Sequence, residues 1–384
     1  MGRSRLIAVV LALALVGVVM VASASLPIAT LRYERPSYLL VKHVVALALG
    51  LVALWGCSKI DYHVFLKIDH ILLLTTLGLA LLTLIPGLSV RGSWLRLPGP
   101  FQLQPTEFVK FALIVASAAF AIRKGELIKE FSQGVLPMLV VTTIAVLIAL
   151  KQSDFAMAMI FLLIVLYMLF IGGARLSHLC GVLCAVIPAL ALLLITTPYR
   201  FSRILAFLDP FQYSTTEGYQ LIQSLTALGS GGIFGRGLGE SRAKLLFLPE
   251  PYNDFIFAII GEELGLIGGL FVIGLFAYLA WEGYVIASRA PDRFGTLLAS
   301  GITFTLAAQA AINIGVATGL LPVTGLTLPF ISYGGSSLMI SCAMVGTLLN
   351  IAQRGSHEDI SRLWGRDRRP SLPRSRYAGG VTAR

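Results

Sequence analysis

Charged residues are scarce in this sequence: 13% of its 384 residues are Asp, Glu, Lys or Arg, whereas 57% are hydrophobic. An ordinary soluble domain is roughly a quarter charged, and a water-soluble chain of this length has no single core that hides so much apolar surface. Lipid is therefore the solvent for most of it. Cysteine is nearly absent too. Cys57, Cys180, Cys184 and Cys342 fall in or at the inner ends of apolar runs, which excludes a disulfide scaffold. Cys180 and Cys184 share a helical face, but no third ligand lies nearby and packing explains them better than metal binding. No repeat of fixed period is visible, and no inverted halves of the kind many transporters carry. A folded basic domain is also missing. The net charge of +11 is therefore read as a topology signal with contact to anionic lipid, not as nucleic-acid binding.

What the chain has in abundance is apolar runs of about 20 residues, long enough to cross a bilayer. Ten are read, at about 6–25, 38–57, 68–88, 105–122, 134–151, 155–172, 177–197, 253–288, 294–318 and 328–352. Their continuity means helices, not the alternation of a barrel. The expected fold is thus an all-α polytopic membrane protein with about ten transmembrane helices. The run at 253–288 is too long for one straight crossing and is expected to tilt or project.

Orientation follows from the basic residues. Arg3, Arg5, Lys59, Lys67, Arg123, Lys124, Lys129, Arg175, Arg289, Arg293 and the eight arginines of 353–384 fall on one side. Arg32, Arg35, Arg91, Arg96 and Lys151 fall on the other. That asymmetry predicts both termini in the cytoplasm. Ala22-Ser23-Ala24 after an apolar run has the look of a signal-peptide cleavage site. An uncleaved first helix is expected instead, since its removal leaves an odd number of spans. Residues 353–384 read as a basic disordered tail, and 1–352 as the membrane domain.

The informative departures from lipid solubility are few. The loop of about 198–252, on the outer side, carries Gly218-Tyr219-Gln220 and then six glycines within 229–239. Such a stretch is not a stable helix. It permits positive-φ turns and close backbone approach to a ligand, or it is a flexible connector. Its G-x-G spacing follows no strand, which rules out a nucleotide fold. Next comes Leu248-Pro249-Glu250, then Asp254 at the mouth of a span, with Asn253 or Asp254 placed to cap the helix. Glu262 and Glu263 lie two turns deeper, where carboxylates by default mark function or are structural, bonded to neighbouring helices. Gln104-Pro105-Thr106-Glu107 opens another span with Pro105 in its first turn. Glu107 and Lys110 share one face, as a buried ion pair or a substrate contact. Leu328 to Ser337 places Ser332, Ser336 and paired glycines at the last span, for close helix contact or a polar pocket. A carboxylate, basic groups and a glycine-rich loop near the outer face suit chemistry on an anionic lipid head group.

These segments carry a resemblance. Gly17–Ser25, Gln104–Lys110, Gly218–Ser224, Leu248–Glu263 and Leu328–Ser337 resemble, in order, motifs of the SEDS family (shape, elongation, division and sporulation proteins). Asp254–Glu263 and Gly325–Pro329 are most similar to its division and sporulation branch. Two stretches depart from the family pattern. Gln152-Ser153-Asp154-Phe155-Ala156 stands where the family has Gln-Pro-Asp-Leu-Gly, which puts the kink of that turn in doubt. Gly92–Arg96 lacks the usual Arg-Trp order, which leaves Arg91 and Arg96 without an assigned role.

The resemblance implies a SEDS fold with one large extracytoplasmic loop and polymerisation of lipid II into glycan strands. The 4-hydroxyl of an acceptor sugar attacks the anomeric carbon of a donor strand, and undecaprenyl pyrophosphate leaves with inversion. It implies Asp254 as general base. Arg200, Arg203, Lys110 and Lys244, or a divalent cation (Mg2+ or Mn2+), are the candidates to stabilise the leaving group, with a structural or lipid-surface role as the alternative for each of the four residues. Glu107, Gln220, Glu250, Ser332 and Ser336 complete the candidate substrate contacts, and no organic cofactor is expected. It also implies a class B penicillin-binding protein (FtsI-like) and other divisome membrane proteins as partners, in the bacterial inner membrane at the septum. Two other functions compete. A lipid II flippase needs charges at mid-depth, for which Lys42, Glu107, Lys110, Glu262 and Glu263 are available. A non-catalytic scaffold for the penicillin-binding protein predicts that Asp254 is dispensable.

Overall fold

The computed structural model describes residues 2–90, 92–96 and 102–365, with the backbone alone for Tyr199, Arg200, Leu246 and 356–365. Among the described residues, twelve α-helices run α1 (Gly2–Tyr33), α2 (Tyr38–Lys59), α3 (His63–Leu82), α4 (Pro105–Lys124), α5 (Leu136–Lys151), α6 (Phe155–Gly172), α7 (Leu176–Ile195), α8 (Pro198–Leu208), α9 (Tyr219–Gly231), α10 (Ile256–Ser288), α11 (Arg293–Ala317) and α12 (Gly335–Gly365). All but α8 and α9 give candidate membrane spans, ten in number. Three short antiparallel strands, β1 (Ser89–Val90), β2 (Trp94–Arg96) and β3 (Gln102–Leu103), close the α3–α4 connection.

The expected helix count holds, but several boundaries move. The third span starts earlier and ends at Leu82, because residues 83–88 turn toward β1. The eighth begins at Ile256 rather than 253, and the tenth at Gly335 rather than 328. In both, residues that the apolar window had absorbed, 253–255 and 328–334, form a non-helical lead-in. The last helix also continues past 352 to Gly365, while 366–384 lie outside the described residues.

α4 and α12 sit at the centre, enclosed by neighbours, whereas α2 and α7 turn most of their surface outward. α12 packs along α2, α3 along α4, α6 against α4 and α5, and α10 against α1, α9 and α11. α1 belongs to this core through Leu6, Val10, Leu13, Met20, Val21 and Ala24, all buried. A bidentate pair joins α3 to α4. Arg123 donates from Nη1 to Asp69 Oδ1 at 3.0 Å and from Nη2 to Asp69 Oδ2 at 2.5 Å, with Asp69 buried.

The long α10 is not one helix. Gly265 breaks it with φ 68 and ψ −166, and the glycine-rich segment after α9 threads into the break. The Arg236 and Gly237 N–H groups donate to the Glu262 and Glu263 carbonyls, each at 3.0 Å. In return the Leu266 and Ile267 N–H groups donate to the carbonyls of Gly232 (2.9 Å) and Ile233 (3.3 Å). Backbone groups freed by a broken membrane helix must find partners within the protein, and this strap provides them. The glycines are needed because two backbones nearly touch: a Cβ on Gly235 would lie 2.1 Å from the Glu263 carbonyl oxygen. Close approach was expected toward a ligand; the structure directs it at the chain's own helix. Helix is also present where glycine density argued against it, since α9 continues through Gly229 to Gly231.

The strap yields a contrast that can be measured. Gly235 (φ 81) and Gly239 (φ 87) both hold left-handed backbone, but nothing lies within 4 Å of a Cβ on Gly239. Gly239→Ala is expected to cost about 1–2 kcal/mol, the left-handed penalty alone. Gly235→Ala adds an overpacking cost of about 1–3 kcal/mol or more. Thermal unfolding of the two purified variants checks the difference; equal midpoints would remove the close approach from the account.

Candidate functional site

The site is built around the lead-in to α10. Its first half-helical residue is Phe255, which makes no side-chain cap. Neither Asn253 nor Asp254 caps the helix, contrary to expectation, because Phe255 rather than Asp254 occupies the cap position. The segment is mounted instead by its carbonyls, each held by a different part of the chain. The Tyr333 N–H donates to Tyr252 O at 2.9 Å. The Ser332 hydroxyl donates to Asn253 O at 2.7 Å while accepting from Leu328 N at 2.8 Å. The Asn313 amide donates to Asp254 O at 2.9 Å and to Leu326 O at 2.6 Å. Buried Phe255 and Tyr252 flank Asp254 itself, which is half-buried.

The Asp254 carboxyl has its pKa pushed up to about 7. Burial is the largest cause, followed by the negative charges of Glu250 and Asp154, against which the positive charge of Arg203 acts. Glu250 leads the same segment and accepts from Asn253 Nδ2 at 3.3 Å. Arg203 lies on α8, half-exposed, and its charge adds to the hydrogen bonds, from the Glu217 backbone first and then from Ser202, that lower the proton affinity of Glu217. Arg200 is one turn earlier on the same helix, and its side chain lies outside the described residues.

A second layer lies beside this one. Asp154 caps α6 by accepting from Met157 N at 3.0 Å, and accepts from Gln104 Nε2 at 3.2 Å. Burial, then Glu107, raises its proton affinity. The Gln104 N–H donates to Ser336 Oγ at 2.9 Å, which ties the starts of α4 and α12. Glu107 and Lys110 pair at 2.6 Å, both buried, and Lys110 donates to Gln309 Oε1 at 2.5 Å. Gln309 in turn donates to Thr327 O at 3.0 Å. Left-handed backbone at Glu250 (φ 45), Ser153 (φ 61) and Phe330 (φ 65) falls in the segments that form this site, the kind of strain that clusters where function over-determines the chain. Ser153 also explains how the turn forms without the family's proline and glycine. It takes the left-handed position while Gln152 is anchored by donating to Thr83 Oγ1 (2.7 Å) and Ala80 O (3.0 Å).

The structure brings together Asp254, Glu250 and Ser332, with Arg203 close enough to act on the Asp254 charge. It ties Ser336 to the neighbouring Gln104–Asp154 pair. It closes Glu107 and Lys110 into a buried pair, the packing alternative for those residues. Lys244 is a correction. Its ammonium donates to Glu263 Oε1 (2.9 Å), Ser23 Oγ (2.9 Å) and Gly239 O (2.5 Å), so it anchors the strap to α1 and α10 and is held away from solvent. Glu262 is also a strap anchor, accepting from Ser241 Oγ (2.5 Å), Arg242 N (3.0 Å) and Ala243 N (3.2 Å). Gln220 is half-buried in the first turn of α9. Sequence reasoning missed Gln309 and Asn313. Their signal was present: two amides four residues apart, on one face of a membrane-spanning helix.

At this mouth the N-terminal ends of α4, α6, α10 and α12 meet, with their dipoles positive toward the site. A carboxyl that titrates near neutrality can take a proton from a hydroxyl, and a guanidinium beside it can face an anion. The fold and the site together define a polytopic membrane protein with a polar, carboxylate-centred site at one end of its helix bundle.

Comparison with known proteins narrows this. The chain belongs to the FtsW, RodA and SpoVE family, described as cell cycle protein, whose model matches residues 3–357. It is 43% identical over 358 residues to the probable peptidoglycan glycosyltransferase FtsW of Geobacter metallireducens, covering 92% of this chain and 95% of that one. It is 40% identical over 352 residues to stage V sporulation protein E of Bacillus subtilis, covering 91% and 96%. Among solved structures it is similar to a chain described under structural coordination of polymerization and crosslinking by a peptidoglycan synthase complex, with TM-score 0.73, 28% identity and coverage of 91% and 97%. It is also similar to the rod shape determining protein RodA of Thermus thermophilus, with TM-score 0.67, 29% identity and coverage of 91% and 95%. The SEDS resemblance and the multi-pass membrane fold are both borne out.

Proposed function

We propose that this chain is a peptidoglycan glycosyltransferase that polymerises lipid II into glycan strands during cell division. The observation that carries the reading is the half-buried Asp254, whose carboxyl titrates near 7 within range of the Arg203 charge. A general base works best when its pKa lies near the operating pH, and an unperturbed carboxylate lies some three units lower. In the proposed step the acceptor sugar's 4-hydroxyl oxygen bonds to the donor's anomeric carbon as its proton passes to Asp254. The bond from that carbon to the diphosphate oxygen breaks with inversion, and undecaprenyl diphosphate leaves. Arg203, whose charge already acts on Asp254, stabilises the developing negative charge. Glu250 and Ser332 support the acceptor side, Ser332 by fixing the Asn253 carbonyl.

Among the described residues no three His, Cys, Asp or Glu side chains form a group that could hold a metal ion. A divalent cation enters this reading as a companion of the diphosphate. The relatives named as FtsW and the likeness to a peptidoglycan synthase complex support the polymerase reading and a class B penicillin-binding protein as partner. The basic residues support both termini being cytoplasmic, an orientation in which Asp254 faces the outer side, and the relatives named as FtsW support the septum of the inner membrane as the place of action.

A transport function is less well supported, because Glu107 is paired with Lys110, Glu263 with Lys244 and Glu262 with Arg236. The test is strand formation from labelled lipid II by the purified chain with its cognate class B penicillin-binding protein in detergent. Glycan strands are expected. A flippase or a scaffold forms none where there is no bilayer to cross.

A further inference from the structure

We infer that Asn313 is a positioning residue for the transfer step: its amide, shared between the carbonyls of Asp254 and Leu326, keeps Asp254 out of the α10 helix and its carboxyl on the site. The inference rests on the reading of Asp254 as general base.

Asn313 is buried on α11, inside a membrane span, where an amide is costly unless something needs it. Two carbonyls do. Its Nδ2 lies 2.9 Å from Asp254 O and 2.6 Å from Leu326 O. The α10 ladder shows why Asp254 O needs an outside donor. The Ala258 N–H, four residues on, donates to Phe255 O at 3.0 Å, and Ile259 N also turns to Phe255 O at 3.4 Å. The helix thus starts one residue late, and its neighbour across the site supplies the missing bond.

Without that amide the Ala258 N–H has an unsatisfied carbonyl within one helical turn to take up. Capture of Asp254 O by Ala258 N lengthens α10 by one residue and makes Asp254 its N-cap. An aspartate there accepts backbone N–H bonds from the first turn, which lowers its proton affinity and turns its carboxylate away from an incoming hydroxyl. The second bond of Asn313 reinforces the mount. It holds the 325–327 segment, where a Cβ on Gly325 would stand 3.6 Å from Asp254 Oδ2. Four residues back on the same face, Gln309 holds the next carbonyl, Thr327 O, and links it to Lys110.

The experiment uses the full chain with its class B penicillin-binding protein in detergent, and measures kcat and KM for lipid II from pH 5 to 9. The charged groups acting on Asp254 are Glu250 from its own segment, Asp154 from the start of α6 and Arg203 from α8, and all stay in place. For Asn313→Ala and the similarly sized Asn313→Leu, neither of which donates to the two carbonyls or adds a charge, kcat is expected to fall about tenfold to a hundredfold, the scale of a misplaced catalytic group. KM should stay within about threefold. The acidic limb of kcat should move at least one pH unit below its wild-type midpoint. That midpoint is a ratio and does not depend on how much protein folded. If activity falls too far to locate it, Asn313→Ser, which keeps one donor, gives the shift at intermediate activity. An acidic limb unmoved in these variants would overturn the inference whatever happens to kcat. Absence of strands from the wild type would instead overturn the reading of the site, and this inference with it.

Discussion

Asp254→Asn is expected to lower the rate of strand formation by about 10² to 10⁴, the range that general-base catalysis contributes, while the chain stays folded and keeps its partner. The second half of that expectation follows from the mount. Asp254 does not cap α10, and the three carbonyls that hold the segment belong to the backbone, which the substitution leaves unchanged. Burial already disfavours the charged carboxylate, so a neutral amide of the same size removes a desolvation cost rather than a support. The measurement is strand formation alongside thermal unfolding and partner capture. A variant that unfolds would make Asp254 a structural residue, and one that polymerises at the wild-type rate would remove it from the chemistry.

Lys110→Ala should do the opposite, with stability failing first. Lys110 is buried against Glu107 at 2.6 Å and Gln309 at 2.5 Å. Removing one member of a buried pair leaves an uncompensated charge, at about 3–5 kcal/mol. Replacing both members with apolar side chains of similar volume is often neutral. Glu107→Leu combined with Lys110→Met is therefore expected to recover most of the lost thermal stability. This separates packing from substrate contact. A lysine that binds the diphosphate predicts a normally folded Lys110→Ala protein with a raised KM, and no recovery of KM in the double variant.

The two expectations show what was legible beforehand. Ten helices were readable because a bilayer demands long apolar runs, and nothing else in a chain of this composition produces them. Asp254 was readable as the charged residue at a span mouth beside an unusual loop, helped by a resemblance that singled it out. What failed was local. Asp254 looked like a cap because Asp favours that position; the preference was overridden by Tyr333, Ser332 and Asn313, all distant in sequence. Lys244 looked like a phosphate ligand because it lies in a glycine-rich outer loop, yet its partners Ser23 and Glu263 come from other elements. The glycines announced a close approach but not what approached, since a broken helix at Gly265 has no marker beyond one more glycine among many. Long-range partners of short polar segments do not show in periodicity.

The acidic limb of the reaction tests the central claim most directly, because substitutions act on structure as well as chemistry whereas pH titrates the group in place. A base works only when deprotonated, and burial with Glu250 and Asp154 holds the Asp254 proton until about pH 7. Strand formation from lipid II by the wild-type chain and its partner should therefore be nearly full at pH 8, half-maximal near pH 7 and lost toward pH 5, while the chain stays folded throughout. A rate that holds unchanged down to pH 5, or a midpoint near 4 where an ordinary carboxylate titrates, would contradict the assignment of the base to Asp254.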